Sequence, residues 1–206
     1  MMAKIQSDKI PGPSLLAVAA TFSPFAVLLS VALLFAEAET RIVLHRAMYT
    51  VWLSSIFATA AYVLYILNWD VKPRYGRVYQ YWRLLWTFAA LGYLVHFYYT
   101  FIVLYRMNVH AVFDQQTRTI ALSNFIFTGW WVLDVALAWL TSAAPSWRRL
   151  QGICFQGFSF VVFIVAFVFL RPGVPQVLGA GMILSVLIAL LFRVFRLPVA
   201  IIHPVP

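Results

Sequence analysis

Two side chains in this sequence carry chemistry that their surroundings do not suit. Asp134 is the one acidic residue deep inside an apolar run, Trp130-Trp131-Val132-Leu133-Asp134-Val135-Ala136-Leu137. A charge at the centre of a bilayer costs about 2.5–3.5 kcal/mol at the least, so this carboxylate needs a partner, a proton or water. His96 stands in the preceding apolar run. At 100° per residue, Ala89, Gly92, Tyr93, His96 and Thr100 share one face of a helix. Small residues on that face let a second helix approach closely, which turns His96 into the protein. On the following helix Ser123, Asp134 and Thr141 form a thin polar line. Counted from the same membrane surface, His96 lies ~14 Å and Asp134 ~21 Å down, an offset that tilt and side-chain reach can absorb. The expectation is a hydrogen-bonded or ionic pair, Asp134 with His96, between adjacent antiparallel helices. Such a pair either joins two helices or serves proton relay or ligand binding.

The other histidines widen the range of chemistry. His45, His96 and His110 fall in the same half of the protein, so a metal or ligand site among them is conceivable, although their spacing matches no compact ligand motif. A bis-histidine haem needs two imidazoles at one depth, and His96 has no such counterpart. The cofactor expectation is therefore none, with a haem, metal or quinone at His96 as the alternative. No catalytic set is legible: there is no phosphate-binding glycine loop, HExxH helix or histidine box and no nucleophile elbow. The single Cys154 cannot form an internal disulfide and reads as a small buried hydrophobe.

These residues must be positioned by membrane helices. The chain has 206 residues, 64% of them hydrophobic and 10% charged, against about 45–50% and about 25% for a soluble domain. Six apolar runs, 14–35, 42–67, 82–105, 120–141, 150–170 and 176–195, each suffice to cross a hydrocarbon core, which takes about 20 helical residues. They are continuous and not alternating, which favours helices over a barrel. The expected fold is all-α, a polytopic membrane helix bundle of six transmembrane helices forming one domain over residues 1–206. The first run is too long for the apolar region of a signal peptide and is taken as a retained helix with Pro24 kinking it. Of the 15 Lys and Arg, ten fall on the side of the termini and five on the other, so both termini are expected in the cytoplasm. The net charge of +9 is thus spread over loops, not gathered on one soluble face, which argues against nucleic acid as a partner. Lys72, Arg74, Arg77, Arg148 and Arg149 are expected at lipid headgroups. Gly181, Ser185 and Ala189, at four-residue spacing, read as a helix-packing stripe.

Short loops and scarce catalytic groups lead to three functional expectations. The first is a non-catalytic integral-membrane subunit that packs within a larger membrane complex, its partners membrane lipid and other integral-membrane subunits. The second is a small transporter or channel using Asp134 and His96. The third is a membrane redox protein with its site at His96. The expected location is a bacterial inner membrane.

Overall fold

The computed structural model describes residues 12–67, 77–141 and 146–196. Among them the chain is helical throughout its regular elements: α1 (Leu15–Glu37), α2 (Ile42–Leu67), α3 (Arg77–Phe97), α4 (Val109–Gln115), α5 (Arg118–Leu140), α6 (Ser146–Ile164) and α7 (Val174–Arg196). α3 and α6 continue without a break into π-helical stretches, Tyr98–Leu104 and Val165–Phe169. Among the described residues six helices are long and apolar enough to cross a membrane; this is an integral membrane protein in contact with lipid.

The expected spans hold, and α2 keeps both its expected ends. The other boundaries move because helical backbone continues into the polar interface, where hydropathy falls but every backbone group still needs a partner. α3 therefore begins at Arg77, α5 at Arg118 and α6 at Ser146. α1 runs through Pro24 as one helix, capped at its start by the Ser14 hydroxyl, which accepts from the Ala17 N–H. α4, capped by Asn108, occupies what hydropathy alone leaves as a loop. Lys72 and Arg74 lie outside the described residues, as does the side chain of Arg149.

α2, α3, α5, α6 and α7 follow one another in contact, and α7 closes back on α2; α1 lies across α2 and α3. The small face expected on α3 is the α2 interface. Ser54 Oγ donates to the Ala89 carbonyl at 2.7 Å, and a Cβ on Gly92 would stand 3.3 Å from the Ser54 backbone nitrogen. Nothing larger than glycine fits there without moving backbone. Inside the bundle the core is aromatic: Trp86, Phe127, Trp131 and Phe155 are fully buried and touch ring to ring. Offset and edge-on rings fill this space densely with few polar atoms.

Candidate functional site

Asp134 does not stand alone in lipid, and its partner is not His96. It sits six residues before the end of α5, while Arg148 is the third residue of the next helix, α6. The arm of Arg148 runs inward along the hairpin. Its Nη1 donates to Asp134 Oδ1 at 2.9 Å and its Nη2 to the Asp134 carbonyl at 3.1 Å. Gln151, one turn further along α6, donates Nε2 to the same Oδ1 at 3.0 Å and accepts from Arg148. From α3, Trp86 Nε1 donates to Oδ2 at 2.8 Å. The ion pair is closed off, with side-chain exposures of 5% for Arg148 and 1% for Asp134. Every side chain that reaches the carboxylate donates, and none offers an acceptor for a carboxylic proton. The arrangement is that of a carboxylate paired with Arg148 that ties its own helix, α5, to α6 and α3. Arg148 is therefore not at the headgroups as expected but turned inward, because an uncompensated buried carboxylate attracts it more strongly than water does.

Neighbouring polar groups continue the tie. Trp139 Nε1 donates to Thr87 Oγ1 at 2.9 Å, linking α5 to α3. Tyr62 and Ser159 share a hydrogen bond of 2.6 Å between α2 and α6.

His96 lies at the other end of an aromatic column. Its ring meets Tyr93 at 5.5 Å, Tyr93 meets Trp131 at 5.5 Å, and Trp131 meets Trp86 at 4.9 Å, whose indole holds Asp134. Three aromatic side chains thus stand between the two residues expected to pair. His96 Nδ1 is 2.8 Å from the Ala47 carbonyl of α2. A carbonyl only accepts, so Nδ1 carries hydrogen, and in the neutral ring Nε2 is the acceptor. Beside His96 is a pocket of about 40 Å³ lined by Thr100, Gln116, Asn124 and the rings of Tyr93, Phe97, Phe101 and Phe125, among others. That volume admits a few waters or one small polar group. The π-helical stretch forms one wall. Just beyond it, after the cap residue Tyr105, come two consecutive residues of positive φ, Arg106 (52°) and Met107 (60°), a conformation costing about 1–3 kcal/mol for each non-glycine residue.

The three histidines do not assemble. His45 binds the Arg41 carbonyl through Nδ1 at 3.1 Å and faces Glu39, while His110 is exposed on α4. Among the described residues no group of three or more His, Cys, Asp or Glu is placed to hold a metal. The stripe on α7 divides as well: Ala189 is buried, Gly181 faces open space and Ser185 bonds back to the Gly181 carbonyl. The close helix contact is made instead by Gly179, where a Cβ would meet Val168. Cys154, expected inside, is exposed on α6. Arg77 is exposed at the start of α3, consistent with a headgroup position.

The partners of Asp134 carried a signal in the sequence. An arginine just after the turn that follows an acid-bearing span can fold back onto that acid, and Arg148 is the described arginine so placed. Trp86 carried none, since an indole N–H is invisible in hydropathy.

Comparison of the chain with protein-family models, with curated proteins and with solved structures yields no match.

Proposed function

We propose that this protein is a non-catalytic integral-membrane subunit that packs within a larger membrane complex. The observation that carries the reading is the saturation of Asp134. Its one charge is neutralised within its own hairpin and its oxygens are taken by Arg148, Gln151 and Trp86. An intramembrane carboxylate is a transport or catalytic candidate by default, but one consumed by three donors acts as a clamp between helices. The outer faces of α1 and α7, with Val27, Leu34, Val177, Leu184 and Phe195 well exposed, are then open to lipid or to neighbouring subunits. We place the end bearing Arg77, Arg83, Arg148 and Arg193 in the cytoplasm by the excess of basic residues there, in a bacterial inner membrane. Purification from its own membrane in mild detergent tests this: larger integral-membrane proteins should co-purify in fixed ratio. A protein that migrates alone, at any detergent concentration that keeps it folded, contradicts the proposal.

A second reading has one observation in its favour. The pocket beside His96 joins an imidazole with an acceptor nitrogen to a π-helical wall, and π-helical turns occur often at functional sites. A membrane redox or ligand-binding role at His96 would give the purified protein a visible absorption spectrum or a bound small molecule. A transporter path from His96 to Asp134 draws less support, because the Tyr93–Trp131–Trp86 column fills the space between them.

A further inference from the structure

The pocket beside His96 has an uncommitted acceptor in its wall. The Nδ1–H of His96 is engaged by the Ala47 carbonyl of α2 at 2.8 Å, and no described group donates to Nε2, which accepts in the neutral ring. The two nitrogens lie on opposite edges of the imidazole. The Nδ1 edge meets α2, whereas the described walls of the pocket come from α3 with its π-helical stretch, from α4 and from α5. The Nε2 edge is therefore the one turned to the cavity. Thr100, one turn on, lines the same cavity. Its hydroxyl donates to the His96 carbonyl at 2.9 Å, so its oxygen is left to accept. On the α5 side Asn124 Nδ2 donates to Gln116 Oε1 at 3.3 Å, which leaves the Asn124 carbonyl oxygen as a further acceptor. Much of the remaining lining is aromatic, from Tyr93, Phe97, Phe101 and Phe125.

The lining selects the class of occupant. Among the described residues it includes no carboxylate, lysine or arginine. An ion of either sign would enter without a counter-ion, at the cost that buried charge carries. A metal ion would find one imidazole and no cluster of ligands among the described residues. What fits is neutral: a hydrogen donor for Nε2 with an apolar body for the rings. Water would satisfy the nitrogen and leave the rings wet. A cavity of about 40 Å³ holds a hydroxyl and its first carbons but no bulky head. The cavity is partly open, and its lining extends to Tyr105 and Gln116. Tyr105 is about 14 Å along the helix from His96 at 1.5 Å per residue, so a carbon chain has room to trail outward.

We propose that this pocket binds a neutral aliphatic alcohol, its hydroxyl donating to His96 Nε2 and its chain lying against Phe97, Phe101 and Phe125. The alcohol is a free molecule or the free hydroxyl of a lipid such as diacylglycerol. The proposal deepens the ligand-binding reading of this pocket and rests on it; it is independent of the assembly reading.

The test is nitrogen NMR of the full-length protein in micelles, with isotope-labelled histidine, titrated with hexanol and with methyl butyl ketone. The ketone is close to hexanol in size but has no O–H to donate. Hexanol should move the Nε2 resonance of His96, assigned through its own backbone, and the ketone should not. With the backbone amides of Thr100 and Asn124 reporting occupancy, hexanol should bind about fivefold more tightly than the ketone at equal mole fraction in the micelle, the size of one net hydrogen bond. His96→Asn, which keeps the donor to Ala47 and lacks Nε2, should bind the two equally. If that variant does not fold, the wild-type resonance decides. Dioctanoylglycerol that displaces hexanol assigns the site to a lipid-borne hydroxyl, and hexanol that resists it assigns the site to a free alcohol; either result keeps the proposal. Equal binding of hexanol and the ketone by the wild type, an Nε2 resonance unmoved by hexanol, or a preference that survives in His96→Asn would overturn the alcohol assignment and leave a ligand site standing. Occupancy by neither probe would overturn the ligand-binding reading with it.

Discussion

Replacing Asp134 by Asn separates two physical accounts of the buried cluster. If the residue serves only as a hydrogen-bonding joint, the loss should be small, because interhelical hydrogen bonds in membranes average about 0.6 kcal/mol. If it is the counter-ion of a buried arginine, removing the charge leaves Arg148 uncompensated at 5% exposure, and breaking a buried pair costs about 3–5 kcal/mol. The geometry favours the second. Three donors converge on the two carboxylate oxygens, and an asparagine offers one oxygen and an NH₂, so its NH₂ must face either the Trp86 donor or both the Arg148 and Gln151 donors. Asp134→Asn and Arg148→Met should therefore each destabilise by about 3–5 kcal/mol. The double variant Asp134→Asn/Arg148→Met removes both charges together. It gains back the desolvation of the pair but leaves at least one of the Trp86 and Gln151 donors facing the asparagine NH₂, for a net loss of about 1–2 kcal/mol. Additive behaviour would instead give about 6–10 kcal/mol. Reversible unfolding in mixed micelles, followed by tryptophan fluorescence and circular dichroism, measures all three. A single-variant cost under about 1 kcal/mol, or a double cost equal to the sum within about 0.5 kcal/mol, would refute the reasoning.

Other substitutions probe the remaining contacts. Gly92→Leu should cost about 1–3 kcal/mol in the same unfolding assay, because its side chain meets Ser54 backbone, while Gly181→Ala, whose Cβ meets nothing within 4 Å, should be neutral or stabilising by up to about 1 kcal/mol. Met107→Gly should stabilise by about 1 kcal/mol by releasing a left-handed φ of 60°; a loss of stability would show that the methionine side chain makes a contact worth more than the strain. His96→Asn keeps a donor where Nδ1 stands and should preserve the bond to Ala47, whereas His96→Leu should cost about 0.5–1.5 kcal/mol, the net worth of one hydrogen bond, since the Ala47 carbonyl keeps the Thr50 hydroxyl. Equal stabilities for the two His96 variants would count against that link.

The six spans were legible in the sequence because transfer from water to hydrocarbon depends on composition summed over about twenty residues, and no knowledge of neighbours is needed to take that sum. The inward faces of α3 and α5 were legible too, since Ala89, Gly92 and Tyr93, and likewise Phe127, Trp131 and Asp134, repeat at helical spacing and are buried. Even the statement that Asp134 must be compensated followed from the cost of its charge. What compensates it did not follow. Estimating depth along two helices left Asp134 and His96 within reach of each other, but which groups meet depends on rotation and tilt about each axis, and these are set by side-chain packing between helices. Tyr93, Trp131 and Trp86 link the two residues in a chain of ring contacts, and Arg148 at the start of α6 reaches Asp134 directly. An arginine at a membrane interface can extend to headgroups or fold back into protein at similar cost until a particular carboxylate is placed beside it. Composition settles that six helices lie in lipid; only the assembled bundle decides which of their few charges face one another.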